Sequence, residues 1–255
     1  FNHKFRKIMK IIKKIKNKIK KYNANKKFQN EFNAFKKLSS TNQRFDLDWS
    51  NRKPCLYDKT DTTGFDSHCI YHPAWAARVL AKTRPKVHVD ISSALEFISV
   101  VSAFIPIKFY DYRPAEIYLN NLTSEKVNIS FLPFDDASIE SLSCMHVVEH
   151  IGLGRYENTL NPNGDLEAIN ELKRVVIPNG NLLFVTPVGK PKIMFNAHRI
   201  YSYDQIIDYF KGFSLVEFAL IPDSRKDVGL IYNASPEVVN AQKYGCGCFW
   251  FVKNQ

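Results

Sequence analysis

Four polar stretches follow short apolar runs in this sequence and could do chemistry: Asp90, Asp111, the segment Pro133 to Asp136, and His146 to His150. Acids at strand ends can accept hydrogen bonds from a ligand. The 21 positions from Asp90 to Asp111 match the spacing by which nucleotide-binding α/β folds reach a ribose hydroxyl. A histidine beside a carboxylate, as in Glu149-His150, can take a proton from an alcohol. His198, in Asn196-Ala197-His198-Arg199, is a second base candidate. His146, Glu149 and His150 also spell H-x-x-E-H, which in another fold is a zinc site on one helix. Here His146 is expected at a strand end and only Glu149 and His150 on a helix, so a divalent metal is allowed but not favoured.

Such residues need a frame. From residue 86 short β-branched runs alternate with helical segments, the order of a parallel sheet with helices on both faces. Strands are expected at 86–91, 107–111, 127–132, 141–147, 181–186, 213–221 and 246–252. Helices are expected at 92–104, opening near Pro73, and opened by Asp165 with Leu166, Ile169, Leu172, Val175 and Val176 on one face. Ligands of such sheets bind outside the carboxyl ends of the strands. A dinucleotide would need glycines after the first strand so that its pyrophosphate can approach the backbone. The sequence there is Asp90-Ile91-Ser92-Ser93-Ala94, which argues against NAD or FAD and is better tolerated by a nucleoside ligand without phosphates.

Five blocks in order resemble class I S-adenosylmethionine-dependent methyltransferases: Val87 to Ser93, the strand ending at Asp111, Leu132-Pro133-Phe134-Asp135-Asp136, His146-Val147-Val148-Glu149-His150, and Glu171 to Val175 followed by Pro178-Asn179-Gly180. The stretches 64–68, 152–156 and 195–199 resemble a branch found in bacterial surface-polysaccharide (capsule) gene clusters. The resemblance implies a Rossmann-like, doubly wound, mostly parallel seven-stranded sheet. It implies S-adenosyl-L-methionine as cofactor, with Asp90 and Ser92 near its amino-acid part, Asp111 on its ribose hydroxyls, Asp135 and Asp136 by the adenine, and His146 at the sulfonium end. His150 is then the expected general base, with Glu149 orienting it or binding the acceptor, and His198 is second. The implied reaction is O-methylation of a sugar or sugar nucleotide. The alternative is a degenerate fold serving as a binding or scaffold subunit, because Ser92 and Ala94 stand where the family has glycines.

The net charge of +11 is unevenly placed. Residues 1–38 hold 14 of the 36 Lys and Arg and one acid, Glu31, a balance of +13; residues 39–255 carry 22 bases against 24 acids. The remainder is thus close to neutral, and a nucleic-acid partner is not expected. In the basic segment Phe5, Ile8, Met9, Ile12, Ile15, Ile19 and Tyr22 recur at helical spacing, predicting an amphipathic helix over 4–22, then a linker and a short helix over 23–44. Peripheral contact with an anionic membrane, or a contact between copies, is expected through 4–22. The expected division is a basic extension at 1–38 and a methyltransferase-like domain at 39–255. Five cysteines without paired C-x-x-C spacing predict no disulfide framework and a cytoplasmic compartment. Cys246 and Cys248, two apart in a strand pattern, are expected to pack in the core.

Overall fold

A computed structural model describes residues 2–39, 44–156, 159–223 and 229–255. It divides into two compact units, 1–64 and 65–255. In the first unit a single helix, α1, runs from Asn2 to Ser39. In place of the linker and short helix expected over 23–44, the described residues up to Ser39 continue α1, because no Gly or Pro precedes Pro54 and the Lys, Gln, Glu and Ala of this stretch are good helix formers. Residues 40–43 and the Phe5 side chain lie outside the described residues. Near its carboxyl end α1 is met by the following segment: the Trp49 ring lies 4.9 Å from Phe32 and 5.9 Å from Phe28, and Lys59 pairs with Glu31 at 2.9 Å.

The second unit begins with α2 (Ser67–Thr83), capped by the Asp66 carboxylate, which accepts from the Cys69 amide. Pro73 therefore sits inside the helix and not in its first turn; α2 starts one and a half turns earlier than expected. The chain continues through β1 (His88–Ile91), α3 (Leu95–Val101), β2 (Ile107–Asp111), β3 (Leu122–Lys126), β4 (Ile139–Met145), α4 (Gly164–Val175) and β5 (Val176–Val188). Then come β6 (Lys192–Met194), β7 (His198–Ile200), α5 (Tyr203–Tyr209), β8 (Phe213–Ile221), β9 (Ile231–Tyr232), α6 (Pro236–Asn240) and β10 (Gly245–Lys253).

The main sheet has eight strands in the order β3-β2-β1-β4-β5-β10-β8-β9, one more than expected; β6 and β7 form a separate pair. The strands from β3 to β5 are parallel and those beyond are antiparallel. Alternation along the strands builds two apolar layers. Leu182, Phe184, Phe249 and Phe251 pack with the α4 residues Ile169 and Leu172. Leu183, Val185, Cys246 and Cys248 pack with Trp75 and Leu80 of α2 and Phe97 of α3. The third strand lies at 122–126, not 127–132. As an edge strand it buries only Leu122, so no apolar pattern marks it, while Val127, Ile129 and Leu132 are buried anchors of the loop beyond.

A polar ladder crosses β1 and β4. His88, fully buried, meets the hydroxyls of Ser141 and Ser143 at 2.8 Å each, and Ser143 donates to the Asp90 carboxylate. Burial pushes the Asp90 carboxyl up to about 6, although hydrogen bonds from Ser143 and Ser93 favour its charge. The folded chain therefore keeps a proton that the unfolded chain has lost between about pH 4 and pH 6. Stability from this group is complete below that window and falls as pH rises through it. Asp90→Asn should stabilise the protein by about 1–3 kcal/mol at pH 8 and by much less at pH 4. Urea unfolding at both values checks this, and an equal gain at the two would contradict it.

Candidate functional site

The strands run parallel across β1 and β4, but the chain order reverses there, β2 and β3 lying to one side and β5 to the other, so the connections diverge and leave a crevice at the carboxyl ends of the strands. A cavity of about 480 Å³ lies there, within the size range of cofactor pockets. Its wall takes one group of residues from each strand end: Ser92 after β1, Asp111 to Arg113 at β2, Val127 to Ser130 after β3, and His146, Val147, His150 and Ile151 after β4.

Of the residues singled out in the sequence, Ser92, Asp111, His146 and His150 line this cavity; Asp90, Asp135, Asp136, Glu149 and His198 do not. Asp90 is 0% exposed and accepts from the Ser93 amide at 3.0 Å, which makes it a buried cap under the first turn. Asp136 is drawn to Arg174 at 2.8 Å. Arg174 also donates to the carbonyls of Leu132 and Phe134, and Glu171 accepts from the Leu132 amide. The Glu171 and Arg174 motif thus holds the 132–136 segment in place. Asp135 is exposed, and its carbonyl accepts from Ser138.

Asp111 accepts from the Arg113 amide with one carboxylate oxygen at 2.6 Å. The other has no partner among the described residues. Ser92 adopts φ 58° with its amide on the Tyr110 carbonyl. This is the left-handed conformation that costs an L-residue about 1–2 kcal/mol. Ser92→Gly should leave stability unchanged or raise it by up to about 1 kcal/mol, since glycine's unfolded-state entropy offsets part of the relief. Ser92→Val should lower it by about 2 kcal/mol, a β-branched residue being a genuine outlier there. Thermal melts of the two variants read the contrast, which equal melting temperatures would contradict.

The helix expected at Glu149-His150 is a single 3-10 turn, Val148–His150. It follows His146, whose φ of 59° ends the strand. His150 Nδ1 lies 2.6 Å from the Ala197 carbonyl, which can only accept, and 3.2 Å from an Arg155 Nη1 that donates to the same carbonyl; the shorter contact puts the proton on Nδ1 and leaves the lone pair on Nε2. Glu149, 1% exposed, places Oε1 2.9 Å from His146 Nδ1 and 3.8 Å from His150 Nε2. Its other oxygen is buried without a partner among the described residues. The three residues do not converge on one point as a helical H-x-x-E-H would. Burial disfavours the His146 imidazolium, but the Cys246 sulfur and the Glu149 carboxylate hold its pKa well above the usual value. His198 is half-buried, its ring 6.4 Å from that of His150, and burial lowers its pKa.

Residues 151–156 and 159–163 close one wall. Gly152 (φ 77°) accepts from the Asn161 amide at 2.9 Å. Arg199, 5% exposed, donates to the carbonyls of Ile151 at 2.6 Å and Pro162 at 3.1 Å. It faces Asp165, which in turn accepts from the Tyr201 hydroxyl at 2.9 Å. Tyr156 joins the wall between two guanidinium groups, Arg113 at 4.9 Å and Arg155 at 5.0 Å. Sequence reasoning gave none of Arg113, Tyr156, Asn161 or Arg199 a role. Its available signal was Gly152-Leu153-Gly154-Arg155-Tyr156 directly after the strand, where two glycines mark a turn that lets backbones approach.

Sheet order, switch point and cleft together define an open α/β fold with a cavity at its strand ends. The family described as "Caenorhabditis protein of unknown function, DUF268" matches residues 119–235, and no curated protein sequence matches. Among solved structures, the 1,6-didemethyltoxoflavin-N1-methyltransferase of Burkholderia thailandensis, holding 1,6-didemethyltoxoflavin and S-adenosylhomocysteine, is 12% identical. The match has a TM-score of 0.52 and covers 72% of this chain and 79% of that one. A structure provisionally named sarcosine dimethylglycine methyltransferase, from Galdieria sulphuraria, is 14% identical, with a TM-score of 0.51 over 71% and 84% of the two chains. One provisionally named methyltransferase, from Bacillus halodurans, is 13% identical, with a TM-score of 0.50 over 72% and 99%. The fold is the Rossmann-like fold of these methyltransferases.

Proposed function

We propose that residues 65–255 transfer a methyl group from S-adenosyl-L-methionine to a hydroxyl of a small polar acceptor, a sugar or nucleotide-linked sugar destined for a capsule or similar surface polysaccharide. The observation that carries this reading is one cavity wall bearing both the half-free Asp111 carboxylate at the end of β2 and a His150 whose Nδ1 proton is committed to Ala197. The likeness to a protein solved with S-adenosylhomocysteine supports the cofactor. The residues fit it: Asp111 would hold the ribose hydroxyls, and Ser92 and His146 would face the remainder. The cofactor supplies a methyl carbon already activated by a positive sulfur.

The chain's own part is alignment and proton removal. His150 Nε2 takes the acceptor's hydroxyl proton, and the Glu149 carboxylate at 3.8 Å stabilises the imidazolium that forms. Arg113, Asn128, Ser130, Asn161 and Glu167 on the wall offer donors and acceptors suited to a polyhydroxyl acceptor. Incubating the protein with labelled cofactor and a panel of sugars and sugar nucleotides, read by mass spectrometry, tests the reading. One methylated sugar supports it; methylation only of amines would contradict it. The crowding by Ser92 favours a second reading, a non-catalytic binding subunit, which binding of S-adenosylhomocysteine without any turnover would support.

For α1, Ile8, Ile12, Ile15 and Ile19 share one helical face, are 40–55% exposed and lie among lysines. No described helix is long and apolar enough to cross a membrane. We propose adsorption to an anionic surface such as the cytoplasmic face of the inner membrane, where stripe and lysines both contribute. Anionic vesicles should co-sediment the full chain, less so at high salt, and should release it when residues 1–38 are deleted. Unchanged sedimentation after the deletion would contradict this and leave contact between copies to explain the stripe.

A further inference from the structure

On the α2 side of the sheet, His68, His146 and Cys246 place one nitrogen or sulfur each within 4.8 Å of one another. They come from three elements: the first turn of α2, the left-handed turn after β4, and β10. The His146 Nε2 to Cys246 Sγ distance is 3.3 Å, and the His68 and His146 rings are stacked with centroids 5.7 Å apart. Tetrahedral zinc, with Zn–N of about 2.0–2.1 Å and Zn–S of about 2.3 Å, sets its ligand atoms roughly 3.3–3.6 Å apart. The His146–Cys246 edge already has about that length, and since all three atoms lie within 4.8 Å of one another no edge has to shorten by more than about 1.5 Å.

Two independent observations point the same way. His72 follows His68 by one helical turn, is 4% exposed, and directs Nδ1 to the His68 carbonyl. Nε2 then bears a lone pair, and this buried atom has no hydrogen-bond partner among the described residues. Its ring lies 5.0 Å from that of His146. A buried acceptor without a partner costs about 1–3 kcal/mol unless something fills it. The second is the Glu149 carboxylate 2.9 Å from His146 Nδ1, the carboxylate–histidine arrangement that fixes a metal ligand's tautomer and leaves Nε2 to coordinate.

We propose that His68, His146 and Cys246, completed by His72, form a binding site for a zinc-type divalent transition-metal ion, with Glu149 orienting His146. Imidazole and thiolate donors suit zinc and not magnesium or calcium, which take oxygen ligands. Binding replaces the contact between Cys246 and His146 by two metal bonds, and every proton held on the Cys246 sulfur and on His146 Nε2 leaves to solvent. The ion would join α2, the turn after β4 and β10 at the edge of the cavity. His146 and Glu149 also belong to the proposed methyl-transfer site, so the metal site is tested by binding and spectra, without turnover as a readout.

The experiment uses the full chain with the exposed Cys55 and Cys69 changed to serine, stripped with chelator, and titrated with Zn²⁺ and with Co²⁺. One equivalent should bind. The cobalt form should show thiolate charge-transfer absorption and the intense ligand-field bands of a tetrahedral centre. His68→Gln and Cys246→Ser should each weaken binding at least 100-fold, Glu149→Gln 10–100-fold, and Cys248→Ser less than threefold, with circular dichroism confirming folded chains. If Cys246→Ser fails to fold, His68→Gln and the cobalt spectrum decide. Absence of stoichiometric binding, a weak six-coordinate cobalt spectrum, or affinity unchanged in folded His68→Gln would overturn the proposal.

Discussion

His150→Ala will lower turnover by about 10²–10⁴-fold, the usual contribution of a positioned general base, while cofactor affinity stays within about threefold. The expectation rests on the 2.6 Å contact from Nδ1 to the Ala197 carbonyl. That contact assigns the proton to one nitrogen and the lone pair to the other, so a single side chain carries the proton from the acceptor. Because the same contact ties the turn after β4 to the segment before β7, the loss could be conformational. Two readouts separate the cases. Removing a base flattens the rising acid limb of the pH–rate profile and leaves the melting temperature nearly unchanged, whereas a displaced loop lowers the melting temperature and raises KM. Turnover that remains near wild type with cofactor bound would remove His150 as the base.

Gly152→Ala will have the largest structural effect at the site. A Cβ at this position would stand 2.0 Å from the Asn161 carbonyl oxygen, and the residue has φ 77°. The added methyl must push backbone away, break the 2.9 Å bond from Asn161, and pull the loop off the Arg199 guanidinium. The left-handed conformation adds about 1–2 kcal/mol and the lost contacts more, for a total of about 3–5 kcal/mol. That corresponds to a fall of roughly 6–20 °C in melting temperature for a domain of this size. Gly212→Ala offers a comparison, because φ is 92° there as well but nothing lies within 4 Å of the added carbon; it should cost only the conformational part. Equal melting temperatures for the two variants would show that the loop is not held as described.

These residues also show what the sequence could convey. β1, β2, β4, β8 and β10 were legible because buried strands write their burial as runs of β-branched and aromatic residues. The edge strand β3 was not, since four of its five residues are polar or charged, and the alternation of Val127 and Ile129 imitated a strand where the chain only anchors a loop. The continuous α1 was hidden by Asn-rich composition that suggests a linker, although no helix breaker was present. At the site, strand-end position identified Asp111, His146 and His150, which do face the cavity. It misplaced Asp90 and Asp136, because a carboxylate at a strand end can equally turn inward to cap an amide or outward to an arginine, and only packing decides. Arg199 and Asn161 were illegible for a different reason: their contacts join segments about 40 residues apart through backbone carbonyls, which carry no residue-type signal. Cys246 and Cys248 were expected to pack in the core and do, but the histidines facing Cys246 come from helix and turn positions that no local spacing connects.

The central claim is that the cavity at the ends of β1 to β4 receives an adenosyl group on Asp111. Calorimetric titration of the full chain with S-adenosylhomocysteine, repeated with NAD and with Asp111→Ala, tests it most directly. The account predicts saturable one-to-one binding of S-adenosylhomocysteine, at least tenfold weaker in folded Asp111→Ala, and no binding of NAD. Absence of S-adenosylhomocysteine binding, or affinity untouched by loss of the Asp111 carboxylate, would contradict it.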